Sequence, residues 1–103
     1  MIARHWIGIV KKERADDYIA HLQEDTFKKL AEIKGFSKAC ILRRDIDRGV
    51  EFLIITEWQS IDAIKQFAGE SFETAVVPKI AQDMMISFDL VVSHYDIFIK
   101  NPG

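Results

Sequence analysis

The stretch that decides the fold is PheSerLysAlaCysIleLeuArgArgAspIle at residues 36–46, followed by AspArgGly at 47–49 and ValGluPheLeuIleIleThrGluTrp at 50–58. Two runs rich in β-branched and aromatic residues flank a short turn signal, which predicts an antiparallel hairpin. In the second run Phe52, Ile54 and Trp58 fall on one face while Leu53 and Ile55 fall on the other. A strand apolar on both sides has to be covered on both sides.

Upstream, residues 2–10 are rich in Ile and Val and predict a first strand. Tyr18, Ile19, Leu22, Thr26, Leu30 and Ile33 then recur at helical spacing. Acidic residues at 13, 16 and 17 suit the positive end of a helix dipole, lysines at 28, 29 and 34 suit the negative end, and Gly35 is a natural stop. One long helix is expected over about 13–34. Downstream of the hairpin, Ser60 is a natural N-cap, and Ile61, Ile64, Phe67 and Ala68 form the stripe of a short helix ending at Gly69. Pro78 interrupts residues 70–85, with a further helical piece expected over 79–84. Residues 86–99 predict a last strand, and AsnProGly at 101–103 a frayed tail.

The order is βαββαβ, the pattern of a ferredoxin-like α+β sandwich with strands expected in the order 4-1-3-2. Its 103 residues make one domain, with an ordered core over about 2–99. Two helices cover only one sheet face, yet strand one pairs an Ile2, Trp6, Val10 row with an Ala3, Ile7, Ile9 row. Strand four repeats the pattern, with Phe88, Leu90 and Val92 opposing Val91, Tyr95 and Ile97. The expectation is a homodimer packed sheet against sheet.

A net charge of −2 and a pI near 5.9 argue against a nucleic-acid partner. No run is long and apolar enough for a membrane helix, and the N-terminal run, which carries Arg4 and His5, has no signal-peptide character; the cytoplasm is expected. The lone cysteine, Cys40, excludes an intrachain disulfide and reads as a small buried hydrophobe. Three separated histidines give no metal-ligand spacing, and no nucleotide, zinc-protease or hydrolase motif is present.

IleAlaArgHisTrp at 2–6, the hairpin, ThrGluTrpGlnSer at 56–60 running into a helix with AlaIle at 63–64, and HisTyr at 94–95 resemble the antibiotic biosynthesis monooxygenase family over residues 2–98. The resemblance implies a dimeric α/β barrel with a pocket between each sheet and its helices. It also implies several activities, among them cofactor-independent oxygenation and haem degradation. The haem-degrading branch uses an Asn, a Trp and a His where this chain has His5, Phe67 and about Val76, so no haem and no other cofactor is expected. The hydroxyanthrone-oxidising branch carries an Asn four residues before the strand-three Trp; here Trp58 is kept but the position holds Ile54.

The resulting expectation is a monooxygenase or related enzyme acting on a planar aromatic or quinol-like compound. His94 and His5 are the candidates for base or polar anchor, since imidazole titrates near neutrality. Trp58, Tyr18 and Phe67 are the candidate substrate-binding residues. Each has a plainer reading as core, and His21 reads as a solvated or partly buried residue at the edge of the helix stripe. The alternatives are a non-catalytic barrel binding a small apolar ligand, and a dimerisation module whose cavity falls far below the ~300 Å³ usual for ligand sites.

Overall fold

The computed structural model describes residues 1–102; Gly103, the end of the expected frayed tail, lies outside the described residues. The elements are β1 (Ile2–Val10), a 3-10 turn (Lys12–Arg14), α1 (Ala15–His21), a π-helical turn (Leu22–Thr26), α2 (Phe27–Ala31), β2 (Phe36–Ile46), β3 (Gly49–Trp58), α3 (Ile61–Ala68), α4 (Lys79–Gln82), β4 (Met85–Phe88) and β5 (Ser93–Asp96). All strand pairs are antiparallel. The order across the sheet is β2-β3-β1-β4, with β5 also pairing β1. β4 pairs the end of β1 and β5 its beginning, so together they form the single edge strand expected for a ferredoxin-like α+β fold.

Two expectations are corrected. The last strand is not continuous over 86–99: it breaks at residues 89–92, where Val91 bridges to Thr74 and the Val92 N–H donates to the Glu73 carbonyl at 2.8 Å. Leu90 and Val91 have strand character, but their hydrogen bonds go to the 73–75 segment instead of to β1. The long helix is present but contains the π turn, so Phe27 joins the inward row, which runs Tyr18, Leu22, Phe27, Leu30 with Thr26 beside it.

The hairpin pairs in register from Ile46–Gly49 to Phe36–Trp58, with one irregularity between Phe36 and Lys38. The Ser60 hydroxyl accepts from the Ala63 N–H at 3.1 Å and caps α3. Gly35 sits at φ 99°, where a side chain is strained, and a Cβ there would meet that of Ala63 at 2.7 Å. The turn before β2 can therefore close directly onto α3.

Pairing fixes the faces. Arg4 opposes Thr56, Trp6 opposes Ile54 and Gly8 opposes Phe52, and this row lies under the helices. Ala3, His5, Ile7 and Ile9 lie on the other face with Glu57, Ile55, Leu53 and Glu51. Cys40 and Leu42 continue that open face onto β2, and both are exposed; Cys40 is not the buried hydrophobe expected. Under the helices the core forms two clusters. One is built on Val10, Tyr18, Leu22, Phe52 and Met84, the other on Leu30, Trp58, Ala63 and Ile64, and Phe27 packs against both. No helix among the described residues is long and apolar enough to cross a membrane.

Candidate functional site

The seam between the two clusters is not filled. A cavity of about 70 Å³ lies there, lined by Arg4 and Trp6 of β1, Ile54 and Thr56 of β3, and Tyr18, His21, Thr26 and Phe27 of the long helix. Phe67 of α3 and the Val76–Val77–Pro78 segment complete the wall. The wall is mostly apolar, as ligand cavities usually are. Its polar groups gather in two places: Arg4 with Thr56 on the sheet, and His21 with Thr26 at the π turn, where His21 Nε2 lies 3.4 Å from Thr26 Oγ1. A π turn inside an α-helix is a frequent mark of a functional position.

Arg4 is 5% exposed. Its Nη1 donates to the Phe72 carbonyl at 2.5 Å and to His94 Nε2 at 3.0 Å, and its Nη2 donates to the Thr74 carbonyl at 3.2 Å. The guanidinium lies 5.8 Å from the centre of the Phe67 ring. Arg4 thus ties β1 to the 72–74 segment that leads into the cavity wall. Desolvation lowers its pKa to about 10, so it stays charged at neutral pH.

His94 pairs with Arg4 across β1 and β5 and packs on Phe72 at 5.3 Å between ring centres. Burial and the Arg4 charge push its pKa below 6.5, with Glu73 pulling the other way. Because Nε2 accepts from a cation, the neutral tautomer with the proton on Nδ1 is the one that fits. The lone pair of His94 is therefore engaged, and the residue positions Arg4. Above its ordinary value of 6.5, His94 contributes no pH dependence to stability, since it is neutral in both folded and unfolded chains. Below it, the unfolded chain binds a proton that the folded one resists, so stability falls until His94 itself titrates. Urea unfolding followed downward from pH 7 should show this fall, and His94→Gln should make it shallower.

The structure separates the other candidates. His5 is on the open face, its ring tilted against Tyr95 with the centres 5.1 Å apart, outside the cavity and away from His94. Tyr18 and Phe67 line the cavity; burial pushes the Tyr18 phenol above its ordinary range, so it stays a neutral donor. Trp58 is fully buried behind Phe67, with the rings 6.1 Å apart and nearly parallel, and its Nε1 donates to Thr56 Oγ1 at 2.8 Å. It supports the wall without forming part of it. Met84 and Met85 are core, and Val76, Val77, Pro78 and Ala81 border the cavity from that region.

Arg4, Thr56 and the placement of His21 and Thr26 were not foreseen. The available signal was that Arg4 shares a strand row with Ile2, Trp6 and Val10, and Thr56 one with Ile54 and Trp58. Trp6 is held flat over Gly8, where any Cβ would collide with its ring, and its Nε1 donates to the Asp89 carbonyl at 2.9 Å. That one side chain touches both the strand break and the cavity.

No protein-family model matches the sequence, and no curated protein matches it. Solved structures do match. A Bacillus cereus protein is 17% identical over 98% of this chain and 94% of its own, with a TM-score of 0.64. One from Caulobacter crescentus CB15 is 19% identical over 95% and 90%, at 0.69, and one from Bordetella bronchiseptica is 13% identical over 95% and 97%, at 0.66. All three are provisionally named antibiotic biosynthesis monooxygenases. The fold is theirs, and the resemblance read from the sequence is met at the level of the fold.

Proposed function

We propose that the chain is a small-molecule enzyme of monooxygenase type that acts on a planar, electron-rich compound in this cavity without a resident cofactor. The observation that carries the reading is the wall itself: Trp6, Tyr18, Phe27 and Phe67 surround one cavity whose polar groups, besides the Tyr18 hydroxyl, are Arg4 with Thr56 and His21 with Thr26. Aromatic walls orient a ring, and in a water-poor site the Arg4 charge stabilises an anion formed from the substrate. A ring CH₂ activated by a neighbouring carbonyl loses a proton to His21, and the carbanion reduces O₂. A C–O bond forms, and the resulting hydroperoxide loses water to leave a carbonyl. All electrons come from the substrate, O₂ is the only oxidant, and the protein supplies base and orientation.

The volume favours a second reading beside this one. About 70 Å³ is below the ~150 Å³ that holds a benzene ring in an engineered cavity, so a planar ligand enters only when Val76–Pro78 moves outward. A barrel that merely holds a small apolar ligand fits the closed dimension better. Oxygen uptake separates the two. With anthrone as substrate, the enzyme reading expects uptake above the spontaneous rate and a fall of at least tenfold in His21→Ala, with His5→Ala unaffected. Binding without uptake sustains the second reading, and neither binding nor uptake leaves only a dimerisation module.

The partner proposed is a second copy, sheet to sheet. Ile7, Leu42, Leu53 and Ile55 put aliphatic side chains on a face that no helix covers, flanked at one end by the Arg44–Glu51 ion pair at 2.8 Å. The chain should sediment at about twice 11.9 kDa, and Leu53→Lys should shift it to the monomer mass. An exposed thiol, Cys40, suits a reducing compartment such as the cytoplasm.

A further inference from the structure

We infer that the cavity is built for a compact carboxylate, seated with its charged oxygens on the free edge of the Arg4 guanidinium and its apolar body among Phe27, Ile54 and Phe67. This rests on the ligand-cavity reading above and deepens it by naming the class of ligand.

The argument begins with charge. Arg4 is a cation on the helix-covered face of a central strand, in a row otherwise made of Ile2, Trp6, Gly8 and Val10. Its three hydrogen-bond partners are two backbone carbonyls and a neutral imidazole. None of the ion pairs among the described residues includes it. Burying a charge without a counter-ion is costly, and folds retain such a group where something else neutralises it. Glu73, the acid that acts on His94, is exposed and makes no ion pair with Arg4. The missing negative charge therefore has to come from outside the described chain.

The donor geometry gives the shape of that charge. A guanidinium has five N–H groups. Nη1 spends both of its own on Phe72 and His94, and Nη2 spends one on Thr74. Nε–H and one Nη2–H remain. These are the positions of the side-on fork with which arginine holds a carboxylate bidentately. No buried side-chain nitrogen among the described residues lacks a partner, so Nε, which has none, is still within reach of water-sized species. Tying down the 72–74 segment leaves these two N–H groups over, and Arg4 is among the residues that line the cavity. The Phe67 ring under the guanidinium and the Phe72 and Thr74 carbonyls on its far edge hold its plane before any ligand arrives. The space beyond is small and apolar, which selects a short body, a one-ring body needing the outward movement of Val76–Pro78.

The probes are butyrate and benzoate, each against its neutral amide, butyramide and benzamide. Binding is followed on the wild-type protein through the Arg4 ¹⁵Nε–¹H resonance, so the test does not depend on a variant that folds. The expected result is a saturable shift of that resonance with at least one acid, and amides at least tenfold weaker. Arg4→Lys, which keeps the charge and loses the fork, should weaken the acid at least tenfold. Acids and amides binding alike, or acids binding with Nε–H unmoved, would overturn the carboxylate assignment while leaving a ligand cavity intact. None of the four binding also overturns it; oxygen uptake with anthrone then decides whether the broader reading survives or falls with it.

Discussion

Trp58→Ala is expected to lower the free energy of unfolding by about 3–5 kcal/mol, a third or more of what holds a small domain together. Trp58 is fully buried and is the largest such side chain. It meets Phe36 edge-on at 5.2 Å and lies against Phe67, so one truncation loosens β2, α3 and the cavity wall together. The loss also strips the Thr56 hydroxyl of its indole donor in the core. Trp58→Phe keeps most of the packing and should cost markedly less. Urea unfolding at one fixed protein concentration measures both, since association would otherwise add to the apparent stability. Equal, small losses for the two variants would mean that Trp58 is not the anchor of the second core cluster.

Arg4→Gln should act locally. Glutamine is neutral and too short to reach the Phe72 and Thr74 carbonyls that Arg4 holds. Bonds from a charged donor contribute about 1.5–3 kcal/mol each. Losing two should speed opening of the 72–78 segment by about 100-fold or more, since each 1.4 kcal/mol is a factor of ten. The reporters are the Ala75 N–H, bonded to the Leu90 carbonyl at 2.9 Å, and the Val92 N–H, bonded to Glu73. Hydrogen exchange at these two amides should accelerate while the β1–β3 amides stay protected. The global unfolding energy should change less, because the substitution also relieves the cost of an unpaired buried charge. Unchanged exchange would show that the Thr74–Val91 bridge alone holds the segment.

Much of this architecture is written locally. The hairpin, the Ser60 cap, the Gly35 stop and the strand order follow from period-two runs, turn residues and short connections. What escaped is set by contacts distant in sequence. Leu90, Val91 and Val92 read as strand, and only the 73–75 segment, brought alongside by tertiary packing, interrupts them. Residues 18, 22, 26 and 30 read as an unbroken α stripe, although the π turn brings Phe27 inward beside Thr26. The site was the least legible part, for a specific reason. Both rows of β1 are apolar, so parity alone could not say whether Arg4 or His5 faced the helices. That face is decided by the position of α1 and α2, and it put the arginine inside and the histidine outside. His94 was found, but its partner was not, because a cation at the third position of an apolar strand carries no local mark of burial.

The inward row of the long helix steps by four, five and three: Tyr18 to Leu22, Leu22 to Phe27, Phe27 to Leu30. Removing one residue between Leu22 and Thr26 would make the middle step four, which is the spacing of an ordinary α-helix. The same four side chains would then still face the sheet. The extra residue is thus a surplus as far as the core is concerned, and a chain shortened there should fold. What would change is the relation of His21 to Thr26 and the bulge that brings both to the cavity. In this helix the parts that keep the molecule folded and the part that shapes its interior surface can be edited separately, at the level of a single codon.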